Sequence, residues 1–183
     1  MKKNLGSKLA LYPTPVTVVG VITEDKPNWV LVCHIGIVSH DRILISLAKP
    51  HYMNQFVKKT GKVSINLVDQ ALLPKADYCG TVSGAKKDKA DVFEYEMGEA
   101  GTPIITASPL VMECSVEDMI EINGFENFIL KIENTYAEEN IIGENDKLDY
   151  AAFKPVLFEM PTYKYLTTGE VLGDCMKMAV EDK

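Results

Sequence analysis

Two basic side chains, Lys49 and His51, flank Pro50 at a point where a strand pattern changes into a helix pattern. The apolar run at residues 43–45 is typical of a buried strand. Proline is tolerated best in the first turn of a helix, because its missing N–H group has no partner there anyway. A helix that begins near Pro50 would direct free backbone N–H groups and the positive end of its dipole toward the two basic side chains. The segment therefore predicts a site for a small anion.

The residues that follow predict the elements that position this site. Met53, Phe56 and Val57 recur at helical spacing, and Gly61 is typical of the end of a helix. Residues 62–67 then resume a strand pattern. The candidate site therefore lies between two predicted strands, next to a short helix.

The charge distribution supports an anion site in this part of the chain. Residues 42–68 contain five Lys or Arg residues and no Asp or Glu, although the chain of 183 residues has a net charge of −7. Residues 91–149, in contrast, contain fifteen carboxylates and two lysines. DNA or RNA binding needs a broad basic surface, so we do not expect nucleic acid as a partner. Alternatively, Lys58, Lys59 and Lys62 form only the solvated face of an amphipathic helix.

The rest of the chain predicts short strands joined by turns. β-Branched or alternating apolar residues predict further strands at residues 16–23, 29–39, 110–117, 127–136 and 156–160. Gly36 predicts a bend within the second of these, and Gly124 lies in a predicted hairpin connection across residues 117–126. The alternation at residues 110–117 predicts a half-exposed strand with Glu113 on its open face.

The connecting segments predict few helices. Residues 69–77 are expected to be helical or irregular, 78–89 a polar loop, 91–97 a short helix, 100–109 a long connector and 163–180 a tail without a strong period. The polar loop either approaches a ligand or is only a solvated surface loop. Short strands with one or two inserted helices predict a closed or nearly closed antiparallel barrel. We expect a single domain over residues 1–183.

Composition and motifs exclude several classes of function. The first thirteen residues lack an apolar core long enough for a signal peptide, and no run could span a bilayer. We therefore expect a cytoplasmic protein with no membrane partner. The four cysteines and three histidines lack disulfide or metal-ligand spacing, so we expect neither a disulfide nor a metal site. There is no dinucleotide-binding glycine fingerprint, no phosphate-loop lysine motif and no Ser-His-Asp arrangement with a nucleophile elbow.

Four segments, taken in order and at their spacing, resemble a known family. They are YPTPVTVV at residues 12–19, PNWVLVCHIGIVSHDRILISLAKPHYMNQF at 27–56, TGKVSINL at 60–67 and YCGTVSGAKKDKADVF at 78–93. Together they resemble the flavin reductase-like domain proteins, which are similar to flavoredoxin. The resemblance implies a mainly β fold with inserted helices, an antiparallel split β-barrel of the FMN-binding type. It also implies a homodimer with FMN bound near the subunit interface.

The resemblance further implies which residues contact FMN. Those along the flavin ring would be Val32, Cys33 and His34. Those that meet the polar edge of the ring and the ribityl chain through backbone groups would be Ser46, Leu47, Ala48 and Lys49. Those near the phosphate would be Lys49, His51, Tyr52 and Asn54, while Ser83 and Gly84 would close over the cofactor. Alternatively, Val32 and Cys33 are ordinary barrel core. Leu31 and His34 depart from the small polar residue and the aromatic residue that many relatives carry.

Two classes of function follow from this resemblance. In the first, the protein is an enzyme, an oxidoreductase that passes hydride or electrons through FMN, with NAD(P)H as donor. In the second, it is a flavoredoxin-like electron-transfer protein that takes electrons from a protein partner, or a flavin-binding module without turnover. The redox chemistry belongs to the flavin ring, so no catalytic side chain is required and none is assigned. A nicotinamide donor would bind transiently over the flavin, because the chain has no dinucleotide fingerprint.

Overall fold

The apolar segments form twelve strands and three helices within residues 1–178, the part of the chain that the structure, a computed structural model, describes. The strands are β1 (Thr14–Pro15), β2 (Thr17–Thr23), β3 (Lys26–Val32), β4 (Ile35–Ser39), β5 (Arg42–Ala48), β6 (Lys62–Leu67), β7 (Tyr95–Met97), β8 (Pro103–Ile105), β9 (Leu110–Ile122), β10 (Phe125–Ala137), β11 (Leu157–Glu159) and β12 (Lys164–Leu166). The helices are α1 (Asn54–Thr60), α2 (Leu73–Thr81) and α3 (Tyr150–Phe153).

Seven of these strands form one antiparallel sheet in the order β3-β2-β6-β9-β10-β5-β4. Its two edge strands, β3 and β4, are consecutive in the chain and are separated only by Cys33 and His34. The edges therefore meet at this junction, where the Ser46 N–H donates to the His34 carbonyl at 2.9 Å. Beyond it they diverge, because β4 pairs with β5 while β3 pairs only with β2 among the described strands. The predicted antiparallel split β-barrel is confirmed.

The prediction of one strand over residues 29–39 is wrong. The structure has two strands there, β3 and β4, and the break falls at Cys33 and His34 rather than at Gly36. The reason is topological, since the chain passes from one edge of the sheet to the other. A single straight strand could not make that change of direction.

Two apolar clusters hold the barrel together. The inner cluster fills the barrel and receives alternate residues of the strands, such as Val19 and Val21 of β2. The outer cluster receives the residues of the opposite face, such as Val18. There they pack with Trp29, Phe93 and residues of α2. This two-sided burial explains why β2 is a continuous apolar run rather than an alternating one.

The helix after the candidate site begins later than predicted. Helix α1 starts at Asn54, not near Pro50, because residues 49–53 form tight turns. In the first of these, the His51 N–H donates to the Ala48 carbonyl at 3.0 Å. Gly61 ends the helix as predicted, with a left-handed φ of 64°. Both α1 lysines, 58 and 59, lie on the exposed face, as does Lys62 of β6, which agrees with the solvated-face alternative.

Several other connections also differ from the sequence-based expectation. The predicted helix at residues 91–97 is a single 3₁₀ turn, Ala90–Val92, followed by β7. Strand β8 lies within the predicted connector at 100–109, and α2 extends into the predicted polar loop at 78–89. The predicted tail at 163–180 contains β12, while residues 179 and 180 lie outside the described part of the chain.

The β9–β10 hairpin is longer than predicted. Its strands are thirteen residues each, and they include most of the predicted connection at residues 117–126. The turn itself consists of Asn123 and Gly124, which have φ of 48° and 80°. An Asn-Gly pair with two positive φ values is the preferred two-residue hairpin turn, because its twist matches that of the strands.

The prediction that Glu113 faces solvent is wrong, because residues 98–105 cover that face of β9. The Glu113 carboxylate is fully buried and accepts hydrogen bonds from Ala100, Thr102, Asn134 and Tyr136 at 2.8–3.2 Å. Burial alone raises the pKa of a carboxyl group. Here the hydrogen bonds outweigh burial and lower the pKa of Glu113 to about 2.

We predict that Glu113→Gln destabilises the fold at neutral pH by about 3 kcal/mol. Because the folded-state pKa lies below the ordinary value of 4.5, the carboxylate stabilises the fold above that pH. This contribution is lost as the pH falls toward 2. Urea unfolding at several pH values measures the difference between variant and parent, which should shrink in acid. The control is Glu96→Gln, an exposed carboxylate of β7. Equal effects of the two substitutions would contradict the prediction.

Candidate functional site

A basic groove lies between β3 and two loops, residues 49–53 and 82–89. It consists of two adjoining cavities of about 240 and 30 Å³ that share Asn28, Tyr52, Gly84 and Lys89. Its other lining residues are Thr23, Lys26, Pro27, Val30, His51, Met53, Cys79, Gly80, Val82, Ser83, Ala85, Lys86, Lys87 and Asp88. Four of the predicted site residues, His51, Tyr52, Ser83 and Gly84, are therefore brought together here.

The most unusual group in the basic groove is the ammonium of Lys89. The residue is only 3% exposed, and its Nζ donates to the carbonyls of Cys79 at 3.3 Å and Val82 at 3.2 Å. No carboxylate within residues 1–178 forms an ion pair with it. A buried charge is costly unless it is paired, and this burial lowers the pKa of Lys89. An anion in the groove would supply the missing negative charge.

His51 adds a second basic group at the rim of the basic groove. Desolvation of its ring, followed by the charge of Lys89, lowers the pKa of His51, although the residue remains exposed. Both residues line the smaller cavity, so the two side chains approach the same region from different loops. A bound anion would reverse that effect, because it favours the charged form of both groups.

Gly84 brings the second loop close to the wall of the basic groove. A Cβ at this position would lie 2.5 Å from Oδ1 of Asn28 and 2.9 Å from Cδ1 of Tyr52. Real Cβ atoms do not approach so closely, so a larger residue would push the loop away from β3. The close approach explains the need for glycine without any unusual backbone angle.

Ser83 shapes the same loop from within. Its carbonyl accepts from the N–H groups of Lys86 and Lys87 at 3.0 Å, and its Oγ accepts from the Ala85 N–H at 3.3 Å. The hydroxyl therefore organises the loop through a contact within the loop itself. Together with Gly84, it keeps the loop tight over the groove.

The predicted site residues on β5 and at the end of β3 do not line the basic groove. The side chains of Val32 and Leu47 lie in the inner cluster and that of Cys33 in the outer cluster. The barrel-core alternative therefore describes the side chains of Val32 and Cys33, and a ligand could contact these two residues only through their backbone. Burial raises the pKa of the Cys33 thiol to about 12, so it stays protonated at neutral pH. Ser46 and Ala48 are half-buried on β5.

His34 lies at the point where the two edges of the sheet meet. Its Nε2 is 3.3 Å from the hydroxyl of Tyr12, and its ring centroid is 6.0 Å from that of Phe125. The junction and the basic groove lie along the same strand, since Asn28 and Val30 of β3 line the groove. The free edge of β3 thus connects the basic groove to the junction at residues 33 and 34.

Lys49 and Asn54 do not line the basic groove. Lys49 donates to both carboxylate oxygens of Glu121 at 2.8 and 3.0 Å, because the β9–β10 hairpin lies beside it. Asn54 is buried and donates to the Ala48 carbonyl and to Glu126. The role of these residues in cofactor binding stays a prediction.

Most of the groove residues were not predicted as site residues, among them Lys89 and Asn28. Lys89 is the last base of the segment AKKDK, and nothing local distinguishes it from Lys86 and Lys87. Its burial depends on contacts with α2, which the sequence does not reveal. Asn28 lies in the segment at residues 27–56 that carries the family resemblance, but no site role was predicted for it.

Sequence and structure comparisons connect this site to known proteins. The family model described as "Flavin reductase like domain" matches residues 9–166, most of the chain. The chain belongs to the flavin reductase-like domain family. This confirms the resemblance that the four segments carry. No protein of curated function matches the chain in sequence.

Solved structures of the same fold include two flavoredoxins. Flavoredoxin from Methanosarcina acetivorans is 30% identical, with a TM-score of 0.91 and coverage of 97% of each chain. Flavoredoxin of Desulfovibrio vulgaris (Miyazaki F) is 27% identical, with a TM-score of 0.89 over 97% of this chain and 99% of the other. An FMN-binding protein from Thermus thermophilus shares the fold at 18% identity, with a TM-score of 0.81 over 95% of this chain and 100% of that chain.

Two further observations concern what the described residues lack. Among residues 1–178, no group of three His, Cys, Asp or Glu side chains is arranged to bind a metal ion. No helix in the same part of the chain is long and apolar enough to cross a membrane.

Proposed function

We propose that this flavin reductase-like protein binds FMN and acts as an oxidoreductase that passes hydride or electrons through it, with NAD(P)H as donor. The observation that carries the proposal is Lys89, which lines a groove along the free edge of β3 and whose buried ammonium has no carboxylate partner in residues 1–178. Family membership supports a flavin as the anion.

The residues of the basic groove fit the phosphate end of FMN. A phosphate monoester carries roughly 1.5 to 2 negative charges near neutral pH. Lys89 and His51 supply basic groups, and the Gly84 loop brings backbone close to them. Charge-assisted hydrogen bonds of this kind contribute about 1.5–3 kcal/mol each.

The split between β3 and β5 fits the other end of the cofactor. The ring contacts proposed for Val32, Cys33 and His34, and those for Ser46 and Ala48, lie where the two edges of the sheet meet. A flat ring system can exchange hydrogen bonds with the peptide groups of a strand edge. Bound FMN would supply the redox chemistry, because the isoalloxazine ring accepts and donates electrons itself. The protein would bind, orient and desolvate it.

The protonated thiol of Cys33 supports a binding role rather than a chemical one. A thiolate beside the ring would be a nucleophile, but burial raises the pKa of Cys33 to about 12. The side chain therefore stays neutral and apolar at the junction. No side chain needs to take a catalytic role in this proposal.

An electron-transfer protein is the second candidate function. It is favoured by the match to flavoredoxins at 30% and 27% identity over nearly the whole chain. In this case FMN would take electrons from a protein partner. Asp118, an exposed carboxylate of the β9–β10 hairpin, would suit a basic partner, while the neighbouring Glu117 and Glu121 already pair with Arg42 and Lys49. A flavin-binding module without turnover is the remaining alternative.

We further propose a cytoplasmic location and a homodimer. All four cysteines are free thiols, including the exposed Cys175, which fits a reducing compartment. An apolar depression of about 1040 Å³ opens between β4 and residues 148–155. At its edge, the side chain of Ile37 is 89% exposed. A large exposed apolar patch of this kind is unusual on the surface of a monomer. A second copy of the chain would cover this patch.

We predict that Lys89→Gln weakens FMN binding at least about tenfold, because one charge-assisted contact with the phosphate is lost. Riboflavin lacks the phosphate and should bind the variant and the parent about equally. Fluorescence quenching titrations with both flavins measure this. Lys59→Gln, an exposed lysine of α1 that does not line the groove, is the control. Lys49→Gln tests the sequence-based site. An unchanged FMN affinity in Lys89→Gln, or an equal loss for riboflavin, would show that the phosphate lies elsewhere.

We predict that NADH or NADPH reduces the FMN-loaded protein directly. Anaerobic mixing followed by visible absorbance measures the loss of the oxidised flavin band. Dithionite, a chemical reductant, is the positive control for a flavin that can be reduced. If dithionite bleaches the flavin but neither nicotinamide does, the enzyme proposal is wrong and the electron-transfer candidate replaces it.

We predict that light scattering gives a mass about twice the 20.3 kDa of one chain. Ile37→Asp should shift the protein to the monomer, because it places a charge within the covered apolar patch. Leu172→Asp is the control, since Leu172 is 88% exposed but lies in the tail. A monomeric parent, or a dimer that Ile37→Asp leaves intact, contradicts the proposed interface.

A further inference from the structure

A buried carboxylate near the hairpin turn has no role in the proposed chemistry. Glu126 of β10 is 3% exposed and accepts hydrogen bonds from Nδ2 of Asn54 at 2.7 Å and Nζ of Lys58 at 2.8 Å. Burial alone raises the pKa of Glu126, but Lys58 and Asn54 outweigh it, with a further contribution from Lys49, and the pKa is lowered. The group is therefore ionised at neutral pH. It does not line the basic groove.

Glu126 determines the orientation of the Asn54 amide. Asn54 is 2% exposed, and its Nδ2 lies between two acceptors, the Glu126 carboxylate and the Ala48 carbonyl, which is 3.2 Å away. Its Oδ1 has no hydrogen-bond partner among the described residues. A flipped amide would place this oxygen against the carboxylate and the carbonyl. The amide is thus held in one orientation although half of its hydrogen-bonding capacity is unused.

Asn54 in turn holds the turn that carries the groove residues. The Ala48 carbonyl accepts from the Asn54 side chain and also from the His51 N–H at 3.0 Å. The Asn54 N–H donates to the His51 carbonyl at 3.2 Å. The same hairpin adds a backbone contact, since the Lys49 N–H donates to the Gly124 carbonyl at 2.9 Å. The position of His51 therefore depends on a network that ends at Glu126.

We infer that Glu126 is a positioning residue that acts through Asn54 to hold residues 48–54 in the conformation that presents His51 and Tyr52 to the basic groove. The link between this positioning role and FMN binding rests on the proposed function. The hairpin tip and the groove are then coupled, although no residue of the hairpin lines the groove.

The first test needs no ligand and uses amide hydrogen exchange. In Glu126→Ala the His51 amide of the free protein should exchange at least about tenfold faster, because its turn loses the support of Asn54. Asp118→Asn, which removes an exposed carboxylate from the same hairpin, should leave this rate unchanged. An unchanged His51 rate in Glu126→Ala overturns the inference whether or not the protein binds FMN.

The second test is a double-variant cycle on FMN affinity. Glu126→Ala and Asn54→Ala should each weaken FMN binding about tenfold, and the double variant should be no weaker than either. Losses that simply add would overturn the inference, because they would show that Glu126 does not act through Asn54. Riboflavin affinity should fall less than FMN affinity, since the affected turn carries His51.

A conservative variant keeps both tests decisive if Glu126→Ala does not fold. Glu126→Gln retains an oxygen that can accept from Asn54, so its His51 exchange rate and FMN affinity should lie between those of the parent and Asn54→Ala. The effect of Glu126→Gln should disappear when Asn54 is already alanine, and an effect that persists in that background would overturn the inference. A parent that binds no FMN refutes the proposed function alone, because the exchange result stands separately.

Discussion

The two-residue connection between β3 and β4 is the constraint on which the site depends. These strands are the opposite edges of one seven-stranded sheet, so residues 33 and 34 force the edges together at one end. At the other end the right-handed twist of the sheet and the separate partners of the two strands carry the edges apart. The barrel therefore has a seam that is closed at His34 and open toward Asn28. The candidate flavin site follows this seam.

Each side of the seam is held by a different part of the chain. On the β3 side, the close approach of Gly84 and the burial of Lys89 fasten the loop at residues 82–89. On the β5 side, turns at residues 49–53 depend on Asn54 and on the β9–β10 hairpin. Most of the basic side chains come from these two loops, while β3 supplies Lys26, Asn28 and Val30.

Much of the fold could be predicted from local patterns, and the failures have physical causes. Strand β6 and the helix end at Gly61 follow from period and propensity alone. The break at Cys33 and His34 could not be predicted, because it results from the closure of the whole sheet. The helix start was misplaced because the preference of Pro50 for a first helical turn is weak beside the network around Asn54. Glu113 was predicted to face solvent because an alternating apolar and polar pattern indicates a strand that is covered on one face. Strand β9 is covered on both faces.

The buried charge of Lys89 would also couple the lifetime of the protein to any anion that binds beside it. Folding removes this ammonium from water and provides only two carbonyls in exchange, so the folded state carries an electrostatic penalty that the unfolded chain avoids. Any anion that binds only the folded chain shifts the equilibrium by RT ln(1 + [L]/Kd). In a cell, where unfolded chains are degraded continuously, the amount of this protein would then rise and fall with the supply of its cofactor.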